Sequence, residues 1–258
     1  MSFRQSIVLL FCSIGAIVPG LAADFPTTIA QVKQSVVGVG SFQKTRSPAV
    51  RFNGTGFATG DGLQIITNAH VVPSVLDTNN METLGISIGH GVNFEFRPAV
   101  VVSIDREHDL AHLAISGKPL PALQLGDSGQ MQEGRELAFT GYPLGMMLGL
   151  HPVTHRALLS AITPVVMPSL TSGKLKPGAI AALQRDGFPI FQLDATAYPG
   201  NSGSPVYDPA SGTVYGIINM VFVKGLKESA ITDPSGITYA VPANHARDLL
   251  QRKDTRAK

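Results

Sequence analysis

The sequence predicts an all-β protein built as two antiparallel β-barrels, with a short N-terminal helix and a second helix closing the chain. Three observations carry this. Short runs of β-branched and aromatic residues alternate with turn residues, in a chain holding 27 glycines and 18 prolines. The runs fall into two blocks, parted by the Pro-containing stretch "SGKPLPALQLGDS" (116–128), which reads as a linker. At 258 residues and 44% hydrophobic, the chain can bury a substantial core.

The first 23 residues stand apart. Arg4 precedes the apolar run "IVLLFCSIGAIV" (7–18), and "PGLAA" follows with small residues. This is the layout of a secretory signal peptide, with cleavage expected after Ala22 or Ala23. The run is too short to span a bilayer comfortably, so no stable membrane span is expected after cleavage. Cys12 is the one cysteine; it lies inside the apolar run, where the bulky Phe11 before it disfavours a lipoprotein site. The mature chain then has no disulfide, thiol nucleophile or cysteine metal site, and an exported chain without bridges suggests a bacterial envelope protein, periplasmic or secreted.

The N-terminal block, 24–118, opens with "FPTTIAQVKQ" (25–34), a short helix with Thr27 or Thr28 as its cap. "SVVGVGSF" (35–42) reads as a strand, and 44–53 as a polar loop. "GTGFATGDGLQIITNAHVV" (54–72) is a hairpin around Asp61-Gly62, a pair suited to positive φ at both turn positions. Residues 84–105 read as strand, turn, strand, and "DLAHLAI" (109–115) as a further strand. The C-terminal block, 119–258, supplies strand-like runs at 136–143, 156–166, 188–196, 203–208, 213–223 and 236–242, then a closing helix in "ANHARDLLQRK". Residues 167–187 read as a long loop. The formal charge is only +2, with no basic block, so nucleic acid is not an expected partner.

"AYPGNSGSP" (197–205) sets Ser202 between glycines. Such glycines let backbone approach a ligand closely, although a tight surface loop without chemistry would read the same way. A serine nucleophile needs a base, and the base needs a partner to hold its tautomer. Among seven histidines, His70 ends a strong strand in "TNAHVV". The acid candidates are Asp109, which opens an apolar strand, and Asp105, which sits in a charged turn and reads as solvated.

"NAHVV", "DLAHLAI" and "GNSGSP", in that order, resemble the chymotrypsin-like (trypsin-like) serine proteases, and most nearly the bacterial Deg/HtrA protease domain. "GYPLG", "FQLDATAYPGNSGSPVYD", "YGIINM" and "ITYAVP" extend the likeness over roughly residues 30–250. The resemblance implies two six-stranded barrels meeting at a catalytic cleft. It implies Ser202 as nucleophile, His70 as general base and Asp109 as the residue orienting the imidazole. The oxyanion hole would be made by the N–H groups of Gly200 and Ser202, with Asn201 shaping the turn. Thr196, Ala197, Asn219, Met220 and Val221 would line the substrate pocket, and with no acid at Thr196 a modest apolar side chain is expected before the cleaved bond.

This chain departs from the pattern in places. Ser204 stands where the Deg/HtrA pattern usually has glycine, and Asn201 replaces the aspartate that animal relatives use to pair with a new N-terminus. Loop ordering, with 167–187 as the candidate, is then the expected control. No PDZ domain is expected after the closing helix. The implied function is a serine endopeptidase acting on unfolded or damaged envelope proteins, without metal or cofactor. Relatives often form trimers, and a homo-oligomer stays open.

Two other readings bear on the same residues. "HDLAH" (108–112) is similar to a zinc protease pattern, but that pattern needs a helix, and Ala111, Leu113 and Ile115 alternate as in a strand. The rival of a different class is an inactive or weakly active relative that binds unfolded peptides as a chaperone or adaptor.

Overall fold

The structure is a computed structural model that describes residues 24–91, 93–145, 149–164, 187–220 and 236–252. The expected leader, nearly all of the loop at 167–187, and Val221 lie outside the described residues. Helix α1 (Phe25–Lys33) has Asp24 at its N-cap position, without a side-chain cap bond, rather than Thr27 or Thr28 as expected. Pro26 suits the first turn, where its missing N–H costs nothing, and Thr28 N already bonds Asp24 O at 3.0 Å inside the helix.

Six strands follow: β1 (Val36–Phe42), β2 (Val50–Thr59), β3 (Gln64–Asn68), β4 (Thr83–His90), β5 (Asn93–Asp105) and β6 (Leu110–Ile115). They close into a barrel in the order β1-β2-β3-β6-β5-β4. Then come β7 (Glu136–Gly141), β8 (Val153–Pro164), β9 (Pro189–Asp194), β10 (Pro205–Tyr207), β11 (Val214–Ile218) and β12 (Ile237–Pro242), closing a second barrel in the order β10-β11-β12-β9-β8-β7. Helix α2 (Ala243–Gln251) ends the described chain. The predicted fold class is therefore the observed one.

Two local expectations are corrected. Residues 50–53 are not loop; they belong to β2, pairing with β1 past a bulge between Val39 and Gly40. Arg51 faces outward, while the Asn53 amide donates to Val71 O at 3.0 Å. The turn after β2 is longer than a two-residue hairpin. Gly60 and Gly62 take φ of 62° and 82°, while Asp61 instead accepts a bond from Leu63 N at 2.9 Å. An Asx turn replaces the left-handed Asp.

The two-residue period of the strands divides the core. On β1, Val37 and Val39 fill the first barrel while Val36 faces the seam between barrels. Ile65 and Ile66 on β3 split the same way. In the second barrel, Phe139, Val206 and Ile218 point inward, and their neighbours Ala138, Tyr207 and Ile217 face the seam. Val32 of α1 and Ala243, Ala246 and Leu249 of α2 complete that shared cluster. Tyr142, just beyond β7, reaches across it: its hydroxyl donates toward Val36 O and Gly89 O, each at 3.3 Å.

Candidate active site

The register of β3 against β6 places His70 beside Asp109. Asn68 pairs with Leu110, so the residues just past the end of β3 meet the residue just before β6. Asp109 O accepts from Ala69 N at 3.0 Å and from Asn68 Nδ2 at 3.1 Å, which locks the junction. His70 itself sits in a short 3-10 turn, Ala69–Val71. Its backbone N donates to Asp109 Oδ1 at 2.9 Å, and its ring Nδ1 meets Oδ2 at 2.5 Å. An ionised carboxylate only accepts, so Nδ1 carries the proton and Nε2 is left as the basic nitrogen. Asp109 takes φ of 52°, a left-handed conformation uncommon for a non-glycine residue. The bonds to its carbonyl and carboxylate hold it there.

Across the seam, residues 199–204 form a compact turn. Asn201 N bonds Tyr198 O and Ser204 N bonds Asn201 O, both at 2.9 Å. Gly203 N donates to Ile218 O and Ile218 N to Ser204 O, also at 2.9 Å. The remaining two amides of the turn, those of Gly200 and Ser202, donate to no group among the described residues. Gly200 has φ of 102°, and a Cβ there would lie 2.3 Å from Tyr142 O, so only glycine fits.

Ser202 is 5% exposed. Its carbonyl accepts from Thr55 N at 2.8 Å, and both it and Val71, the neighbour of His70, crowd Gly54. Asn219, the residue after β11, donates from Nδ2 to Asp109 Oδ2 at 3.0 Å. The serine turn, the end of β11, the carboxylate and the imidazole thus form one connected assembly. No hydrogen bond joins Ser202 Oγ to the His70 ring among the described residues.

The expected pocket residues divide. Ala197 is buried, and its N donates to Thr238 Oγ1 at 3.1 Å, while that hydroxyl donates to Ala195 O at 2.7 Å. Thr196 lies beside it in the half-buried segment after β9. Met220 packs on the core of the second barrel. Asn219, expected as a pocket wall, is fully buried and turns its amide nitrogen to Asp109 Oδ2, since a buried amide needs a partner. Thr55, Thr238 and this use of Asn219 escaped the sequence reading. The "GTG" around Thr55, a small hydroxyl between glycines at a strand that must meet another chain segment, was the available signal.

Asp105 is not solvated as expected but only 4% exposed. It accepts from His108 Nδ1 at 3.0 Å, Arg252 Nη2 at 2.7 Å and two backbone amides. Burial works to raise its carboxyl, but the bonds from His108 and the nearby Arg252 overcome that and hold it below the ordinary carboxylate value. Its imidazole partner is thus His108, which stacks on His245 with centroids 3.8 Å apart. His112 turns elsewhere, its Nε2 meeting Gln64 Oε1 at 2.6 Å. The two histidines of "HDLAH" do not converge on a shared centre.

The family model described as a trypsin-like peptidase domain matches residues 54–217. A "Probable periplasmic serine endoprotease DegP-like" of Halomonas elongata is 29% identical over 77% of this chain and 34% of its own length. The mitochondrial serine protease HTRA2 of Bos taurus is 31% identical over 78% of this chain and 36% of its own length. The chain thus spans about a third of the length of these curated relatives. Among solved structures, the active form of the Rv3671c protease from M. tuberculosis superposes with a TM-score of 0.63 at 22% identity, covering 100% of this chain and 95% of that one. The HtrA-type protease AlgW with a decapeptide gives 0.62 at 22% identity, covering 89% and 67%. With the family model spanning the strand before His70, both acidic candidates and the serine turn, the chain belongs to the trypsin-like peptidase domain family.

Proposed function

We propose that this chain is a serine endopeptidase that cleaves polypeptides through an acyl-enzyme on Ser202. The observation that carries the reading is the His70–Asp109 pair, held at the seam beside a glycine turn whose two spare amides belong to Gly200 and Ser202. His70 Nε2 takes the Ser202 proton as Oγ bonds the scissile carbonyl carbon. The oxyanion that develops is met by the N–H groups of Gly200 and Ser202. His70 then gives that proton to the leaving amine as the C–N bond breaks. Water attacks the acyl carbon, passes its proton to Nε2, and Oγ leaves and recovers it. Asp109 keeps the tautomer and stabilises the imidazolium, and Asn219 shares the carboxylate.

The leader-like residues 1–23 and the periplasmic DegP-like relative support an exported enzyme of the bacterial envelope, acting on unfolded or damaged proteins there. Thr196 and Ala197, uncharged and beside Thr238, favour a modest apolar side chain before the cleaved bond. The rival reading, a non-catalytic binder of unfolded peptides, is favoured by one observation: Ser202 Oγ and the imidazole are not hydrogen-bonded. Catalytic bonds are often long without substrate, so this does not decide the matter. A serine-directed fluorophosphonate does. It should label the wild type and spare Ser202→Ala; labelling that ignores the substitution, or none in any condition, supports the binder.

A further inference from the structure

Thr55 belongs to β2 of the first barrel, yet its polar atoms serve the second. Its side chain is fully buried. Its N donates to Ser202 O at 2.8 Å. Its hydroxyl donates to Gly200 O at 2.7 Å and accepts from Tyr142 N at 3.0 Å. A threonine hydroxyl has one proton, and because the Tyr142 amide can only donate, that proton is committed to Gly200.

This bond fixes the plane of the Gly200–Asn201 peptide. On the other side, Leu144 N donates to Pro199 O at 2.6 Å and fixes the Pro199–Gly200 peptide, in which the Gly200 N–H points opposite to that carbonyl. The carbonyls of Pro199, Gly200 and Ser202 are each pinned from outside the turn, two of them by Thr55. The spare amides lie in the alternate peptides: that of Gly200 in the Pro199–Gly200 peptide held by Leu144, and that of Ser202 in the Asn201–Ser202 peptide, whose carbonyl accepts from Ser204 N and which Thr55 brackets by holding the Gly200–Asn201 and Ser202–Gly203 peptides on either side. Little slack exists around the hydroxyl: a Cβ on Gly141 would lie 3.0 Å from Thr55 Oγ1 and 1.9 Å from Ser204 Oγ.

We infer that Thr55 is a positioning residue: its hydroxyl, reaching from the first barrel, sets the orientation of the oxyanion-binding amides in the second. The inference deepens the endopeptidase reading and rests on it for its kinetic consequence. Thr55→Val keeps the shape and removes the bond, leaving Gly200 free to reorient. Donors displaced from the developing charge weaken the transition state while leaving substrate binding nearly unchanged.

The test pairs two readouts on Thr55→Val and Thr55→Ser. In peptide hydrolysis, Thr55→Val should lower kcat by about 10- to 100-fold with KM within about threefold, and bind a peptide aldehyde more weakly by a similar factor. Thr55→Ser, which keeps the hydroxyl, should stay within about threefold of wild type, and the shape of the pH–rate profile should not change. In hydrogen exchange, the amides of Asn201, Gly203 and Ser204 should exchange about tenfold faster in Thr55→Val and not in Thr55→Ser. Exchange needs no turnover, so it judges the brace even if the wild type proves inactive, an outcome that would sink the endopeptidase reading alone. Unchanged exchange in Thr55→Val, or equal impairment of both variants, overturns the inference. Should Thr55→Val fail to fold, Thr55→Cys, a weak donor of similar size, takes its place under the same criteria.

Discussion

The two halves of the site are stabilised by different means. The His70–Asp109 half is set by strand register, with β3 and β6 ending side by side and the carboxylate tying backbone and ring of the same histidine. The serine half meets a ladder only at its far end, where Gly203 and Ser204 pair with Ile218 of β11. It is a turn with left-handed glycines, held at its carbonyls by Thr55, Leu144 and its own short bonds. The first half is fixed by the backbone pairing of two strand ends. The second is rigid only while separate segments stay docked on it. Perturbations of the two halves should therefore differ in kind.

The largest effect expected is on Ser202→Ala, which should lower kcat by at least about 10⁴-fold without changing the melting temperature appreciably; steady-state hydrolysis and calorimetry report both. Asp109→Asn should follow, costing about 10⁴-fold by presenting the wrong tautomer. The contrasting variant Asp105→Asn, whose carboxylate serves His108 and Arg252, should leave kcat within about threefold and cost about 1.5–3 kcal/mol of stability. The reverse pattern in paired assays would mean that the acid has been misassigned. On the serine side, Gly200→Ala should lose about 10²- to 10³-fold in kcat, since its Cβ would strike Tyr142 O and turn the amide. Fluorophosphonate labelling of that variant should slow in parallel.

The smallest effect is on stability against pH. Burial lowers His112, His155 and, with the nearby His108, His245 from the ordinary 6.5, so the folded protein favours their neutral forms. Below pH 6.5 the unfolded chain binds more protons, and stability present above that value is lost as pH falls toward the folded values. A second loss begins below about 4.5, where Glu82, lowered to about 2 by the bonds from Asp77 N, Ser41 and Arg46, protonates in the unfolded chain first. Denaturation midpoints between pH 8 and 3 should show two steps; a flat profile from 7 to 5 would contradict the histidine part.

The sequence made the register half of the site legible and the docked half only partly so. Strand endings around His70 and Asp109 could be read from local periodicity, and Ser202 from its glycines. The glycines around Thr55 mark a close approach but do not name its partners, which lie 87 and 145 positions away. Asp105 looked solvated because its turn is charged; its burial depends on Arg252 from the far end of the chain. Asn219 likewise declares itself only once Asp109 is beside it. What periodicity misses is the long-range pairing of polar groups, which no window of neighbouring residues contains.

The cluster at the seam draws side chains from both barrels and both helices at once. Neither barrel excised alone could cover its half of that surface, so the two should melt together as one cooperative unit. On the proposed reading, halves that cannot come apart without unfolding leave no hinge between the barrels by which a cleft could open.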